Sequence, residues 1–145
     1  MRLYLDTSAL VKLYIEEEGR PLVKKAVEDA DFVATSLIAY VEARAAFARR
    51  RREGILLTAD HARVLRDFEN EWQSFFIIDV TGPLVRNAGK FSELYALRGY
   101  DALHLAAADF FQAKMKESVT FACWDTRLDA AAQRQGLQSL RPQPH

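Results

Sequence analysis

The chain is short of the residues that brace a fold from outside its core. Of 145 residues, only one is cysteine (Cys123), six are glycine and four are proline. A single cysteine excludes a disulfide framework and a thiolate metal centre. Its place in the apolar run Val119-Thr-Phe-Ala-Cys-Trp124 marks it as a small buried hydrophobe. A charge of one sign is missing too, because 20 Lys and Arg balance 20 Asp and Glu. A neutral chain does not draw nucleic acid by its overall field, so any such contact has to come from local basic patches. Long hydrophobic runs are absent as well. The apolar N-terminal stretch is interrupted at Asp6 and Lys12. That excludes a signal peptide and a membrane span, and leaves the cytoplasm as the expected compartment.

What is present is half hydrophobic and 28% charged, the make-up of a globular protein. A chain of this size buries roughly 68–70% of its unfolded surface and needs no staple. One domain over residues 1–141 is expected, with a short tail, 142–145, marked by Pro142 and Pro144.

Strand-like and helix-like segments alternate from end to end. Short strands are expected at Arg2–Asp6, Phe32–Ser36, Phe75–Val80, Val119–Trp124 and Gln138–Arg141. Helices are expected from Thr7 to about Glu18, from Pro21, from Leu37 to Arg52 behind a Ser36 cap, and from a Thr58 cap to Ser74. Three more run over Leu84–Leu97, Tyr100–Met115 and from Thr126 to near Gly136, the last opened by a Thr126–Asp129 capping box. The segment Tyr100–Met115 is apolar on nearly every side and belongs deep in the domain. Such alternation implies an α/β fold, with a parallel sheet covered by helices on both faces and joined by right-handed crossovers.

Parallel sheets bind ligands outside the carboxyl ends of their strands. Asp6 and Asp125 stand at such ends, directly after Leu3-Tyr-Leu5 and Phe121-Ala-Cys-Trp124. Glu42 sits inside an apolar helical stretch, and Asp101 opens the most apolar helix. A carboxylate in those surroundings is costly unless paired or bound to a cation. Asp6, Asp101 and Asp125 each have a second reading as helix caps; Glu42, well inside its helix, does not. Capping does not explain why all four converge. Oxygen-only ligands favour Mg²⁺, with Mn²⁺ able to replace it, over zinc. Such an ion suits hydrolysis at phosphorus and needs no nucleophilic side chain.

Four stretches carry a resemblance: Leu5-Asp6-Thr7-Ser8-Ala9-Leu10-Val11, Ser36-Leu-Ile-Ala-Tyr-Val-Glu42, Gly99-Tyr-Asp101-Ala-Leu-His-Leu-Ala106 and Trp124-Asp125-Thr-Arg-Leu128. In order and spacing they resemble the motifs of PIN-domain ribonucleases, most closely the VapC-type toxins of toxin–antitoxin pairs. The resemblance implies a PIN-like three-layer fold with about five parallel strands. It implies that Asp6, Glu42, Asp101 and Asp125 bind metal and catalyse, with Thr7 and Ser8 in support. The implied activity is Mg²⁺-dependent endonucleolytic hydrolysis of single-stranded RNA, silenced by a cognate antitoxin in a protein that forms homodimers. Cys123 departs from the pattern. Many relatives carry a hydroxyl residue there, so one hydrogen bond supporting Asp125 is expected to be missing.

Several other residues have two readings. His104, three residues after Asp101, is expected to be a hydrogen-bonded structural histidine rather than a ligand for a hard ion. Asp129 is expected to serve the capping box. Arg44 and Arg98 are placed to guide a phosphate toward the acids. Arg49–Arg52 is either a solvated helix end or a phosphate contact. Phe47, Trp72, Phe75 and Phe76 read as core, with a docking groove as the alternative. Among rival functions, a haloacid-dehalogenase-type phosphatase needs an acid where Ser8 stands, and a phospho-receiver lacks its acidic pair and lysine. The remaining alternative is a non-catalytic PIN-like module that binds RNA or protein.

Overall fold

The computed structural model describes residues 1–141; the expected tail at 142–145 lies outside the described residues. Five strands are present: β1 (Arg2–Leu5), β2 (Phe32–Ser36), β3 (Phe76–Ile78), β4 (Val119–Ala122) and β5 (Gln138–Ser139). Seven helices separate them: α1 (Thr7–Lys12), α2 (Arg20–Asp29), α3 (Ile38–Arg52), α4 (Thr58–Trp72), α5 (Gly82–Tyr95), α6 (Gly99–Met115) and α7 (Thr126–Arg134). Every strand pair is parallel, in the order β3-β2-β1-β4-β5. The expected α/β architecture is the observed one.

Alternation along β1 divides the core in two, because successive side chains point to opposite faces of a sheet. Tyr4 joins Ala34, Phe121, Leu105 and Phe111 on the face covered by α5, α6 and α7. Leu3 and Leu5 join Leu10, Val23, Phe47 and Phe68 on the face covered by α1 to α4. Burying a side chain such as Phe47 or Phe68 contributes about 1.5–3 kcal/mol relative to leaving it exposed. Their rings also meet edge to face, 5.5 Å apart. Trp72 and Phe75 pack on the same core, whereas Phe76 is partly exposed. Phe47, Trp72 and Phe75 therefore follow their core reading, Phe47 fully so, and the exposed Phe76 departs from it.

The chain builds β1, β2 and β3 in one direction and then places β4 on the other side of β1. The carboxyl ends of β1 and β4 thus form the switch point at which an open α/β sheet presents a crevice. Leu5 lies in register with Ala122, and the next N–H, that of Asp6, donates to the Ala122 carbonyl at 3.1 Å.

Some boundaries differ from expectation. The helix expected from Thr7 to Glu18 ends at Lys12. Lys12 bonds Glu17, five residues on, at 2.9 Å. In a continuous helix those residues would diverge by about 140°, so the chain has to turn back. Leu57, not Thr58, precedes α4, and Asp125, not Thr126, caps α7. Asp129 instead accepts from the Ser139 hydroxyl at 2.7 Å, tying α7 to β5. The third and fifth strands are shorter than expected, at Phe76–Ile78 and Gln138–Ser139.

Candidate active site

The acids are set by the ends of the elements just described. Asp6 follows β1 and caps α1, its Oδ1 accepting from the Ala9 N–H at 2.9 Å and the Ser8 hydroxyl at 2.7 Å. Asp125 follows β4 and caps α7, its Oδ1 accepting from the Leu128 N–H at 2.8 Å. Both capping readings are therefore correct, and neither competes with a role in the site. Asp101 lies in the first turn of α6, but Arg98, not Asp101, is the cap.

Glu42 is held from two sides. Thr7 donates its hydroxyl to Glu42 Oε1 at 2.6 Å, and His104 Nε2 lies 3.0 Å from the same oxygen. A carboxylate only accepts, so Nε2 carries a proton. The Tyr4 hydroxyl lies 2.8 Å from Nδ1 and hydrogen-bonds the other side of the ring. Tyr4 keeps its proton because burial, reinforced by the charges of Asp6 and Glu42, pushes its pKa well up. His104 is the hydrogen-bonded structural histidine expected. Tyr4 was not anticipated, since its partner is 100 residues away and nothing in a buried strand tyrosine announces it.

Thr7 and Ser8, consecutive residues of α1, thus serve different acids. Ser8 also accepts the Trp124 N–H at 3.3 Å, joining Asp6 to the residue before Asp125. The Cys123 thiol sits 3.5 Å from the Asp125 backbone carbonyl, a weak contact with the same loop.

One pattern runs through the cluster. Asp6, Glu42 and Asp125 each spend one oxygen on the protein. Among the described residues the other oxygen of Asp6 and of Glu42 has no hydrogen bond, and Asp125 Oδ2 meets only the Arg98 guanidinium at 3.9 Å. Arg98, which is 85% exposed, also reaches Asp101 Oδ2 at 3.6 Å, so one exposed cation spans two acids. Arg44 is placed otherwise than expected. Two residues past Glu42, it leaves the helix about 200° away and pairs with Glu69 on α4 at 3.2 Å. In the basic run, Arg49 and Arg50 pair with Glu53 and Glu17, and Arg51 and Arg52 are exposed.

The acids are also coupled through their charges. Burial raises the pKa of Asp6; His104, Ser8 and Ala9 oppose the rise, and the charge of Asp101 adds to it. Burial raises Asp101 as well, with Asp125 and Glu42 adding and Arg98 and His104 opposing. Asp101 is thus the hub at which the fields of the other three acids meet. Burial also pushes Glu42 up, but hydrogen bonds from His104 and Thr7 outweigh it and hold that carboxyl low.

The residues fit a hard divalent cation. The donors are carboxylate oxygens, two have their free oxygen unpartnered, and the mutual repulsion of the cluster is what such an ion relieves. As placed, no three or more His, Cys, Asp or Glu side chains among the described residues stand together closely enough to hold a metal ion. A cleft of about 440 Å³ beside α1 and α4, lined by Tyr14, Ile15, Val64 and Asp67, contains none of Asp6, Glu42, Asp101 and Asp125.

Comparison with known proteins agrees with this geometry. The PIN domain family model matches residues 3–132. Ribonuclease VapC45 of Mycobacterium tuberculosis is 35% identical over 135 residues, covering 93% of this chain and 92% of that protein. In fold, the chain is similar to PAE2754 from Pyrobaculum aerophilum (TM-score 0.66, 18% identity, 97% and 90% of the two chains). It is also similar to a toxin–antitoxin complex from Klebsiella pneumoniae (TM-score 0.53, 21% identity, 83% and 84%). With its motifs in order, its acids at the switch point of a parallel sheet and nearly its whole length matched, the chain belongs to the PIN-domain family and, within it, to the VapC proteins.

Proposed function

We propose that the chain is a metal-dependent endoribonuclease that hydrolyses phosphodiester bonds of single-stranded RNA, and that it is the toxin of a toxin–antitoxin pair. The observation that carries this reading is the cluster of Asp6, Glu42, Asp101 and Asp125. These acids are coupled through Asp101, and Asp6 and Glu42 each offer a carboxylate oxygen that the protein leaves unbonded. These four side chains would hold Mg²⁺, or Mn²⁺ in its place. Such an ion supplies an activated water and offsets charge on the scissile phosphate.

The other residues have positional tasks. Thr7 and His104 fix Glu42, Ser8 fixes Asp6, and the α7 backbone fixes Asp125. Arg98 lets go of the acids and meets a backbone phosphate, a contact that positions RNA without reading its sequence. Arg44 contributes to guidance only if it leaves Glu69. The VapC relatives support the ribonuclease reading, and the toxin–antitoxin complex among the structural neighbours supports an antitoxin partner. A homodimer acting in the cytoplasm completes the proposal. No helix among the described residues is long and apolar enough to cross a membrane.

The test is cleavage of a panel of single-stranded and structured RNAs in Mn²⁺ by wild type and Asp6→Asn. Asparagine keeps the cap but loses the charge. Cleavage lost with both chelator and substitution supports the nuclease. Wild-type Mn²⁺ binding with no cleavage of any RNA favours the binding module instead.

A further inference from the structure

Among the described residues five polar or charged side chains are buried: Asp6, Lys12, Thr35, Ser36 and His104. Asp6 and His104 belong to the acid cluster. Thr35 donates to the Leu5 carbonyl, and Ser36 accepts the Ile38 N–H. That leaves Lys12, a cation 8% exposed at the end of α1, outside the chemistry described so far.

Its surroundings are specific. The ammonium donates to Glu17 Oε1 at 2.9 Å and lies 4.6 Å from the centre of the Trp124 ring. Glu17 Oε2 is taken by Arg50 at 2.8 Å, which anchors the pair to α3. Gly19, at φ +90°, runs under the same indole; a Cβ there would come within 2.4 Å of Cζ2. Arg141 lies 5.8 Å from the ring. The indole is therefore seated by a lysine, a bare glycine and an arginine.

Trp124 is also where the two strand-end acids are joined. It precedes Asp125, and its N–H donates to Ser8 Oγ, which in turn donates to Asp6 Oδ1. A shift of the indole moves the backbone that carries Asp125 and loosens the hydroxyl that orients Asp6. We propose that Lys12, through Trp124, is a positioning residue that sets the spacing of Asp6 and Asp125 for the divalent cation. This inference rests on the metal-nuclease reading above.

Metal binding separates a structural lysine from a positioning one. Removing one partner of a buried ion pair lowers stability, and Lys12→Met leaves Glu17 with Arg50 alone. A purely structural Lys12 thus predicts a Met variant that melts lower but, while folded, binds Mn²⁺ normally, whereas a positioning Lys12 predicts a folded variant that binds it weakly.

The experiment uses Trp72→Phe as background, which leaves Trp124 as the sole tryptophan of the two in the chain. Wild-type Lys12, Lys12→Met and Lys12→Arg are compared in three readouts: emission of Trp124 without metal, quenching of that emission by Mn²⁺, and RNA cleavage. For Lys12→Met we expect emission shifted to longer wavelength, a lowered melting temperature and, measured well below that temperature, a roughly 10-fold weaker Mn²⁺ midpoint, the usual scale for residues that support metal ligands. Lys12→Arg, which keeps a cation on the ring, restores most of the affinity. If Lys12→Met matches the Lys12 protein in Mn²⁺ midpoint and turnover, the clamp is overturned while the nuclease reading stands. If the Lys12 protein itself neither binds Mn²⁺ nor cleaves, the nuclease reading fails first and takes the clamp with it.

Discussion

His104 Nε2 and Glu42 Oε1 are 3.0 Å apart although their residues are 62 positions apart in the chain. The contact fixes more than a distance. With Tyr4 bonded to the other ring nitrogen, the imidazole is held in one orientation. Tyr4→Phe leaves that nitrogen buried without a hydrogen-bond partner, so a stability loss of about 1–3 kcal/mol is expected in urea unfolding. His104→Leu strands both the Tyr4 hydroxyl and one side of Glu42. It is expected to cost at least as much and to lower cleavage about 10–100-fold. Wild-type turnover in His104→Leu would show that Thr7 suffices to orient Glu42.

Asp101→Asn separates folding from chemistry. Burial and the charges of Asp125 and Glu42 raise the pKa of Asp101 above its ordinary 3.8. For an acid shifted in this direction, the ionised form destabilises the fold. The penalty is absent below the unfolded value and fully present above the folded one. With chelator at neutral pH, Asp101→Asn is therefore expected to melt higher than wild type, with the difference vanishing below about pH 3.8. Saturating Mn²⁺ reverses the ranking, since ligand at 100 times its Kd stabilises by about 2.7 kcal/mol and the variant binds it less well. A variant that melts lower in chelator contradicts the account of the cluster as strained.

Glu17 gives the opposite pH behaviour. Burial raises its pKa, but hydrogen bonds from Lys12 and Arg50 outweigh that and bring it below 4.5. A depressed acid contributes stability that is present above the unfolded value and is lost as pH falls through the folded one. Glu17→Gln should thus melt lower than wild type at pH 7, and the two should converge in acid below pH 4.5. Parallel melting curves across that window would mean the pair contributes no net charge term.

Arg98→Ala addresses substrate guidance. The side chain is 85% exposed and its ion pairs are long, so little stability rests on it. The expected result is a higher KM for RNA, a shallower salt dependence and an unchanged melting temperature. Unchanged KM and salt slope would remove Arg98 from the substrate path.

Much of this was legible beforehand for a physical reason. Acids at strand ends are announced by the apolar runs before them, and helices by their spacing, so the sheet, Asp6 and Asp125 could be placed from local pattern. The long-range partners could not. Lys12 and Glu17 bend the chain where helical spacing continues, and Arg44 turns to Glu69 because of a helix angle that linear proximity to Glu42 hides. Tyr4 and Trp124 gain their roles only from residues 100 and 116 positions away.

Asp6 and Asp125 each follow a strand and cap a helix with the same side chain that the proposed site would use. An alanine at either place removes a charge and a cap together, so loss of activity there cannot be told from loss of fold. Asparagine keeps the cap and drops only the charge. A lineage that must silence this protein while keeping it able to hold a partner therefore has an easy route. On the proposed reading, a single Asp→Asn exchange after a strand would leave an intact fold with no working centre, and a catalyst would become a decoy in one step.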